Sequence, residues 1–269
     1  MRVLAINDVS CVGKCSLTVT LPILSACGVT CDVLPTAVLS THTGGFDGYT
    51  FRDLTDDIPA ILRHWKTLGL KFDFICSGYL GNIQQIEMVK SIKREFLAEN
   101  GTFIVDPVMG DSGKLYAGFT DAYVEKMREL CREADYILPN VTEACYLLGI
   151  PYTDYSQTAL YALANVCPRP IVTGIHEGND ILVSYLDENK TLQTYSSENV
   201  EGFFCGAGDV FASAFVGALA NGKNERKAIE LAASFATAAI KRSAWEVPDK
   251  RYGLNFEAEI FPFLQKLND

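Results

Sequence analysis

Short apolar runs alternate with longer amphipathic segments along most of this chain, and that alternation limits the possible folds more than any other feature. The predicted strands are Val3–Asn7, Cys31–Leu39, Phe72–Ser77, Thr102–Asp106, Tyr136–Leu138 and Pro170–Thr173. The predicted helices lie near 14–27, 51–68, 82–99, 117–132, 140–148 and 155–166. Strands that alternate with helices of this length predict βαβ units and a mostly parallel sheet. The strands are apolar at odd and even positions alike, as in a sheet that helices cover on both faces.

The pattern changes after residue 180. Ile181–Leu186 and Thr191–Tyr195, with a polar turn between them, predict an antiparallel hairpin. Three helical patterns then lie near 208–220, 224–241 and 255–266. No linker rich in Pro, Gly or Ser and no repeat separates these parts, so all 269 residues are predicted to form one domain. We expect a three-layer α/β fold with a mostly parallel central sheet, helices on both faces, and an antiparallel hairpin near 180–196.

Charge and hydropathy argue against two classes of partner. The formal net charge is −10 and no stripe rich in Lys or Arg is present, which argues against nucleic-acid binding. No apolar run approaches the roughly 18 to 20 residues that cross a bilayer, and the apolar run at Met1–Ile6 is shorter than that of a signal peptide. We expect a cytoplasmic protein. A polyphosphate ligand is compatible with the charge, because it brings its own divalent cation and backbone N–H groups can bind it.

The nine cysteines indicate neither a disulfide framework nor a zinc site. They lie at positions 11, 15, 27, 31, 76, 131, 145, 167 and 205. Their number is odd, no pair has Cys-x-x-Cys spacing, and only three histidines accompany them. We expect reduced cysteines that pack as small apolar side chains.

A polar or glycine-rich cluster follows each of the six predicted strands. The clusters are Asn7–Ser10, Thr41–Gly45, Ser77–Gly81, Asp106–Asp111, Asn140–Glu143 and Thr173–Gly174. Ligands of open α/β sheets bind beyond the carboxyl ends of the strands. The six clusters therefore predict one shared ligand site at that edge of the sheet.

The segment Phe204–Phe215 carries the strongest indication of chemistry. In it Gly206, Ala207 and Gly208 precede Asp209 and an apolar helix. Glycines let successive N–H groups turn toward one point, and the start of a helix adds partial positive charge there. Such a turn suits the charge on a transferring phosphoryl group, and a carboxylate beside it can accept a hydroxyl proton. The simpler interpretation is a tight turn with Asp209 as the helix cap.

This Gly-Ala-Gly-Asp motif resembles that of ribokinase-like kinases, in which the glycine turn is the anion hole and the aspartate is the catalytic base. The resemblance implies the same roles for residues 206–208 and for Asp209. Segment 140–143, Asn-Val-Thr-Glu, resembles the Asn-x-x-Glu motif of the family, which organises Mg²⁺ and its waters. Asn140 with Glu143 three residues later is also a capping-box pattern, and that alternative stays open.

Three further segments resemble the pyridoxal kinase branch of this superfamily. They are 40–44 (Ser-Thr-His-Thr-Gly), 77–81 (Ser-Gly-Tyr-Leu-Gly) and 106–111 (Asp-Pro-Val-Met-Gly-Asp). The resemblance extends from Val3 to about Ile240. It implies phosphorylation of the 5′-hydroxyl of pyridoxal, pyridoxine or pyridoxamine by ATP with Mg²⁺, in a homodimer. A monovalent cation is a further candidate cofactor.

The resemblance also implies a set of site residues. The substrate-binding candidates are Asp8, Ser10, His42, Thr43 and Tyr79. The ATP-binding candidates are Asp106, Asp111, Asn140, Glu143, Thr173 and Gly174, of which Asp106 and Glu143 are also the metal-ligand candidates. Three of these have structural alternatives: Tyr79 as an ordinary rim residue, His42 as a brace for its loop, and Asp106 as the end of a strand.

The segment after the first strand leaves the substrate open. Many pyridoxal kinases have a Ser-His pair there, whereas this chain has Asn7-Asp8-Val9-Ser10. An aspartate at the position of Asp8 is similar to the hydroxymethylpyrimidine kinases of thiamine synthesis. Phosphorylation of hydroxymethylpyrimidine is therefore the alternative activity. A dinucleotide-dependent oxidoreductase would need a glycine-rich turn at this place, and 9–13 contains one glycine. A non-catalytic nucleotide sensor would tolerate the loss of Asp209, which this chain keeps.

Overall fold

The computed structural model describes all 269 residues. The strands are β1 (Arg2–Ser10), β2 (Thr30–Leu39), β3 (Phe51–Asp53), β4 (Phe72–Ser77), β5 (Leu97–Val105), β6 (Gly110–Asp111), β7 (Lys114–Leu115), β8 (Tyr136–Ile137), β9 (Ile171–Glu177), β10 (Asp180–Leu186) and β11 (Leu192–Glu198). The α-helices are α1 (Leu17–Ala26), α2 (Ile58–Thr67), α3 (Ile83–Phe96), α4 (Asp121–Arg132), α5 (Val141–Leu148), α6 (Ala159–Leu163), α7 (Ala207–Ala220), α8 (Glu225–Glu246) and α9 (Ile260–Asn268). None of these helices is long and apolar enough to span a bilayer.

The central sheet has six strands in the order β3-β2-β1-β4-β5-β8. All neighbouring strands are parallel except β3, which pairs antiparallel with β2 at the edge. β2 lies on one side of β1 and β4 on the other, so the chain leaves the carboxyl ends of β1 and β4 in opposite directions. A crevice for ligands forms at such a point in an open α/β sheet.

A second sheet of three antiparallel strands, in the order β11-β10-β9, contains the predicted hairpin. β9 was expected to continue the parallel sheet, but its ladder is with β10. It meets the central sheet through two single parallel bridges, Ile137 with Pro170 and Asn140 with Thr173. The second sheet is thus an extension that begins beside the carboxyl end of β8.

Two apolar cores, of 31 and 30 buried residues, lie on opposite faces of the central sheet. Val3 belongs to the first core and its neighbour Leu4 to the second, because successive side chains of a strand point to opposite faces. The first core contains residues of α1, α7, α8 and α9, and the second contains residues of α3 to α6. The predicted three-layer arrangement is confirmed.

The boundaries of several predicted helices were wrong, and in two cases a strand takes residues that were assigned to the helix. The helix expected over 51–68 begins only at Ile58, because Phe51–Asp53 pairs with the edge of β2 instead. The helix expected over 82–99 ends at Phe96, and Leu97 already has the extended backbone of β5. The small hairpin of β6 and β7 was not predicted either.

Candidate active site

Asn7 joins the carboxyl ends of β1 and β4. Its Oδ1 accepts hydrogen bonds from the backbone N–H groups of Asp8 at 3.0 Å and Tyr79 at 2.8 Å. A Cβ at Gly78 would overlap the Asn7 amide, so the close approach of the two strand ends requires glycine there. The Asn7 Nδ2 lies 3.4 Å from Oδ1 of Asp209. One amide therefore links both strand ends to the start of α7.

Asp209 lies in the first turn of α7, where its carboxylate faces the strands rather than its own helix. Oδ2 accepts the backbone N–H of Ser16 at 2.9 Å. Gly206 is the N-cap residue of α7 and no side chain caps it, so the alternative of Asp209 as a helix cap is wrong. Burial raises the pKa of Asp209 to about 6, and the Asp8 carboxylate adds to the rise. An aspartate with this pKa is ionised at neutral pH and is more basic than usual.

The glycine turn before α7 leaves the first N–H groups of the helix without a side-chain partner. Gly206 has φ 80° and ψ 2°, in the left-handed region, and a Cβ there would overlap the backbone carbonyl of Lys14. Gly208 differs, because apart from its chain neighbours and the backbone of its own helix no protein atom lies within 4 Å of the place where its Cβ would be. Packing fixes Gly206, whereas open space lies beside Gly208. The turn can therefore accept an anion at the N-terminus of α7.

Asp8 is buried and binds two hydroxyl groups. Its Oδ2 accepts the hydroxyl of Ser10 at 2.9 Å and its Oδ1 accepts that of Ser16 at 2.5 Å. Burial raises the pKa of Asp8, and these two hydrogen bonds oppose the rise. Ser10 is only 1% exposed and its hydroxyl is engaged with Asp8. The structure therefore presents Ser10 to Asp8 and not to the crevice.

Glu143 completes a capping box at the start of α5, as the alternative interpretation predicted. Its Oε2 accepts the N–H of Asn140 at 2.9 Å, and Oδ1 of Asn140 accepts the N–H of Glu143 at 3.0 Å. Its Oε1 accepts the N–H of Met109 at 3.1 Å. Burial raises the pKa of Glu143, and these backbone hydrogen bonds oppose the rise. Glu143 thus fixes α5 against the loop that follows β5.

Asp106 follows β5 and lines one crevice with Asn7, Gly78 and Asp209. Burial raises its pKa well above the usual value, and repulsion from Glu143 and then from Asp209 adds to the rise. No donor in the protein lowers that pKa by a hydrogen bond. A cation would relieve the repulsion.

The acidic pair Asp106 and Glu143 fits a magnesium ion that is shared with a nucleotide. Mg²⁺ in kinases is usually held by one or two carboxylates together with substrate phosphates. No group of three or more His, Cys, Asp and Glu side chains could hold a metal ion on the protein alone. Because both Glu143 oxygens already accept backbone N–H groups, Asp106 has the freer carboxylate of the two.

His42 has the bracing role that the sequence left open. Its Nδ1 accepts the N–H of Gly44 at 3.0 Å, so Nε2 carries the proton and donates to the carbonyl of Arg251 at 2.5 Å. Neither ring nitrogen is left for a substrate. The neighbouring Thr43 is exposed at the tip of this loop.

Tyr79 is half-buried and directly follows Gly78, which lines the crevice. Its ring centroid lies 5.9 Å from that of Phe119, which stacks on Tyr123 at 3.9 Å. Burial raises the pKa of Tyr79 to about 12, so the phenol is neutral. A flat aromatic face backed by two further rings is a rigid wall for a ring-shaped ligand.

The remaining nucleotide candidates lie around the start of α5. Asn140 donates from Nδ2 to the carbonyl of Gly110, next to Asp111, at 2.9 Å. Thr173 meets Asn140 in a single parallel bridge, and Gly174 follows with φ 70°. The structure therefore brings Asp111, Asn140 and Thr173 to one end of the sheet, beside Glu143.

Asn7 and Ser16 contact the Asp209 carboxylate, and the sequence did not single out either of them as a site residue. Asn7 carried a weak signal, as a polar residue at the end of an apolar strand. Ser16 carried none, because its backbone N–H makes the contact and any residue other than proline has that group.

Sequence comparison finds relatives over most of the chain. The family model of phosphomethylpyrimidine kinase matches residues 23–254. Pyridoxine kinase of Bacillus subtilis (strain 168) is 30% identical over 198 residues, which cover 70% of this chain and 71% of that protein. Alignments with several other curated pyridoxal kinases span about half of the relative's length.

Two solved structures match nearly the whole chain. A putative phosphomethylpyrimidine kinase from Bacteroides thetaiotaomicron VPI-5482, crystallised with pyridoxal, has a TM-score of 0.91 and 34% identity, and the match covers 100% of this chain and 96% of that chain. Pyridoxal kinase from Lactobacillus plantarum has a TM-score of 0.92 and 31% identity, with 98% and 96% covered.

Proposed function

The chain belongs to the phosphomethylpyrimidine kinase family, and we propose that it transfers the γ-phosphoryl group of ATP to the 5′-hydroxyl of pyridoxal, pyridoxine or pyridoxamine. One observation carries the proposal. The half-buried Asp209 carboxylate lies beside an uncapped glycine turn and lines the same crevice as Asp106. A proton acceptor and an anion site next to one another are what phosphoryl transfer to an alcohol requires.

In the proposed reaction, Asp209 accepts the proton of the 5′-hydroxyl as that oxygen attacks the γ-phosphorus and ADP leaves. The N–H groups from Gly206 to Asp209 stabilise the negative charge on the transferring group. Asp106 and Glu143 would hold Mg²⁺, which neutralises phosphate charge when bound. The protein contributes mainly orientation and electrostatic stabilisation, since phosphoryl transfer needs little further chemistry from side chains.

The relatives favour a B6 vitamer over hydroxymethylpyrimidine as the acceptor. Pyridoxine kinase and pyridoxal kinase are among the proteins that match, and one similar structure contains pyridoxal. In the proposal, the aromatic wall at Tyr79 and the exposed Thr43 would contact the ring of the acceptor. The cytoplasmic location, the homodimer and the monovalent cation stay predictions.

An absorbance assay with purified protein, ATP, Mg²⁺ and pyridoxal tests the proposal. We expect conversion of pyridoxal to its 5′-phosphate, with ADP released in equal amount. The same assay with hydroxymethylpyrimidine is the comparison. Turnover of hydroxymethylpyrimidine without turnover of any B6 vitamer would establish the alternative.

Glu143→Gln should raise the Mg²⁺ concentration needed for half-maximal rate, because it removes one of the two carboxylate charges around the proposed metal site. The amide nitrogen of the introduced glutamine would also face a backbone N–H donor, and this clash of two donors can destabilise the fold. Thermal unfolding must therefore be measured in parallel. Glu188→Gln, in the exposed turn between β10 and β11, is the control. A destabilised variant with unchanged magnesium dependence would show that Glu143 serves only as a cap.

Tyr79→Ala should weaken the binding of pyridoxal by about 1 kcal/mol or more, because it removes an aromatic wall. The affinity for ATP should hardly change. Tyr79→Phe keeps the ring and should bind pyridoxal nearly as well as the wild type. Equal losses of affinity for pyridoxal and ATP in the alanine variant, measured by calorimetry, would refute the placement of Tyr79 on the acceptor side.

A further inference from the structure

The segment Asp249–Glu257, which we call the strap, follows α8 and packs against the loops after β1 and β2. It is a fixed part of the fold. Leu254 and Phe256 are buried in the first core, at 1% and 2% exposure. Lys250 Nζ donates to three backbone carbonyls at the end of α8. The strap therefore has its own anchors, independent of the site.

The strap pairs with the loop after β1 at Lys14. The Lys14 N–H donates to the carbonyl of Tyr252 at 3.3 Å, and Lys14 forms a parallel bridge with Gly253. Gly253 has φ 84°, and a Cβ there would be 2.8 Å from the Lys14 carbonyl oxygen. This approach is open to glycine alone. The same carbonyl also lies against Gly206, where a Cβ would overlap it as well.

The strap also holds the loop after β2. His42 donates from Nε2 to the carbonyl of Arg251 at 2.5 Å, and Arg251 donates to the carbonyl of Gly45 at 3.2 Å. The His42 ring fills the space beside Gly13, where a Cβ would be 2.7 Å from Nε2. His42 is therefore wedged between the loop after β1 and the strap.

Ser16, two residues after Lys14, has φ 57° and ψ −132°, a backbone conformation that favours glycine. In this conformation its N–H donates to Oδ2 of Asp209 and its hydroxyl donates to Oδ1 of Asp8. A strained residue of this kind persists only where its surroundings hold it, and such residues cluster at functional sites. Val9 pairs directly with Ser16 in a single antiparallel bridge. The strap acts on Ser16 only through the Lys14 backbone, two residues earlier, which pairs with Gly253.

We propose that His42 and Gly253 are positioning residues, which dock the strap on Lys14 and so keep Ser16 in the conformation that directs its N–H at Asp209. The consequence for rate rests on the proposed function, in which Asp209 is the base. The docking itself does not depend on activity and can be measured separately.

Two variants of His42 separate the contributions of the hydrogen bonds made by its two ring nitrogens. The Asn side-chain oxygen in His42→Asn lies near the position of Nδ1 and can accept the Gly44 N–H, but the side chain is too short to reach Arg251. The Gln amide in His42→Gln can reach toward the position of Nε2 and donate to Arg251. We expect kcat to fall roughly 10- to 100-fold in His42→Asn, the scale of a small misplacement of reacting groups, and to recover largely in His42→Gln. The KM for ATP should stay the same in both.

Hydrogen exchange provides a readout that needs no activity. The Lys14 amide, which donates to Tyr252, should exchange faster in His42→Asn and at the wild-type rate in His42→Gln. Gly253→Ala, which pushes the strap away from Lys14, should reproduce the effects of His42→Asn on exchange and kcat. Gly222→Ala is the matched control, since Gly222 has φ 78° but no atom beyond its chain neighbours within 4 Å of its Cβ position. It should leave exchange at Lys14 and kcat unchanged.

Faster exchange at Lys14 with an unchanged kcat would overturn the proposal, because docking would then not matter to the base. Equal losses of kcat in both His42 variants, with unchanged hydrogen exchange at Lys14, would overturn the proposal too. They would instead support a role for His42 in substrate binding. A wild-type protein that phosphorylates no B6 vitamer, but whose Lys14 exchange responds to His42→Asn, would refute the proposed function while supporting the docking.

Discussion

Asp209→Asn should lower kcat by roughly 10²- to 10⁴-fold, the usual contribution of a positioned general base. Asparagine keeps the shape of the side chain, and its oxygen can still accept the Ser16 N–H, but it does not take up the hydroxyl proton. The KM values for Mg·ATP and for pyridoxal should change far less, because the backbone of the glycine turn is untouched. Steady-state kinetics on the folded variant measures all three quantities.

Asp121→Asn is the matched control for this loss of charge. Asp121 is exposed in the first turn of α4, where asparagine costs little, and it should retain full activity. Since Asp209 does not cap α7, a fall in kcat cannot come from loss of a helix cap. A folded Asp209→Asn protein with near-normal kcat would refute the base assignment and the mechanism built on it.

The pH dependence of kcat/KM reports the same carboxyl group in the free enzyme. Burial raises the pKa of Asp209 to about 6, so the fraction of ionised base falls as the pH drops through that value. We expect kcat/KM to decline below pH 6 by about tenfold for each further pH unit. The residual activity of Asp209→Asn should lack this limb.

Gly208→Ala should lower the rate by roughly 10²- to 10³-fold, the scale of losing one donor of an anion hole. Beyond its chain neighbours and its own helix backbone the added methyl group meets no protein atom within 4 Å, so it enters the open space that the transferring phosphoryl group is proposed to use. Gly208 is helical, and alanine is the better helix residue by roughly 0.5–1 kcal/mol. The variant should therefore be as stable as the wild type, or more stable, in urea unfolding.

Gly206→Ala provides the contrast two residues earlier. Its φ of 80° and the overlap with the Lys14 carbonyl predict loss of both stability and activity. The pair thus separates damage to the fold from blockage of the site. Full activity in Gly208→Ala would show that the phosphoryl group does not approach this turn.

The layers of the fold could be predicted because they depend on local periodicity. The apolar pattern of each strand and helix shows which of its sides packs against a neighbour. Both cores contain the apolar residues that these patterns indicate. β3 could not be predicted, since its three residues are all exposed and only the edge of β2 makes them a strand. β9 showed a strand pattern, but its choice of partner depends on β10, which follows it.

The site divides in the same way. The glycine turn at 206–208 and the capping box of Asn140 and Glu143 are each continuous in sequence, so a single sequence contains the complete pattern. Ser16 and Asn7 lie 193 and 202 residues away from Asp209 along the chain. His42 lies 209 residues before Arg251. Contacts of this range, made partly by backbone atoms, leave no pattern in a single sequence.

The Lys14 carbonyl, which lies against both Gly206 and Gly253, has a consequence for redesign of the enzyme. Three segments that are far apart in sequence share one point of closest approach and tolerate no side chain there. A chimera that takes the loops after β1 and β2 from a homologue, in order to change the phosphoryl acceptor, would also need residues 249–257 of that homologue. Without them the new loops would lack the segment that they pack against. The smallest part of this site that can be exchanged is therefore discontinuous in sequence. In homologous sequences, substitutions in the loops after β1 and β2 should be accompanied by substitutions in residues 249–257.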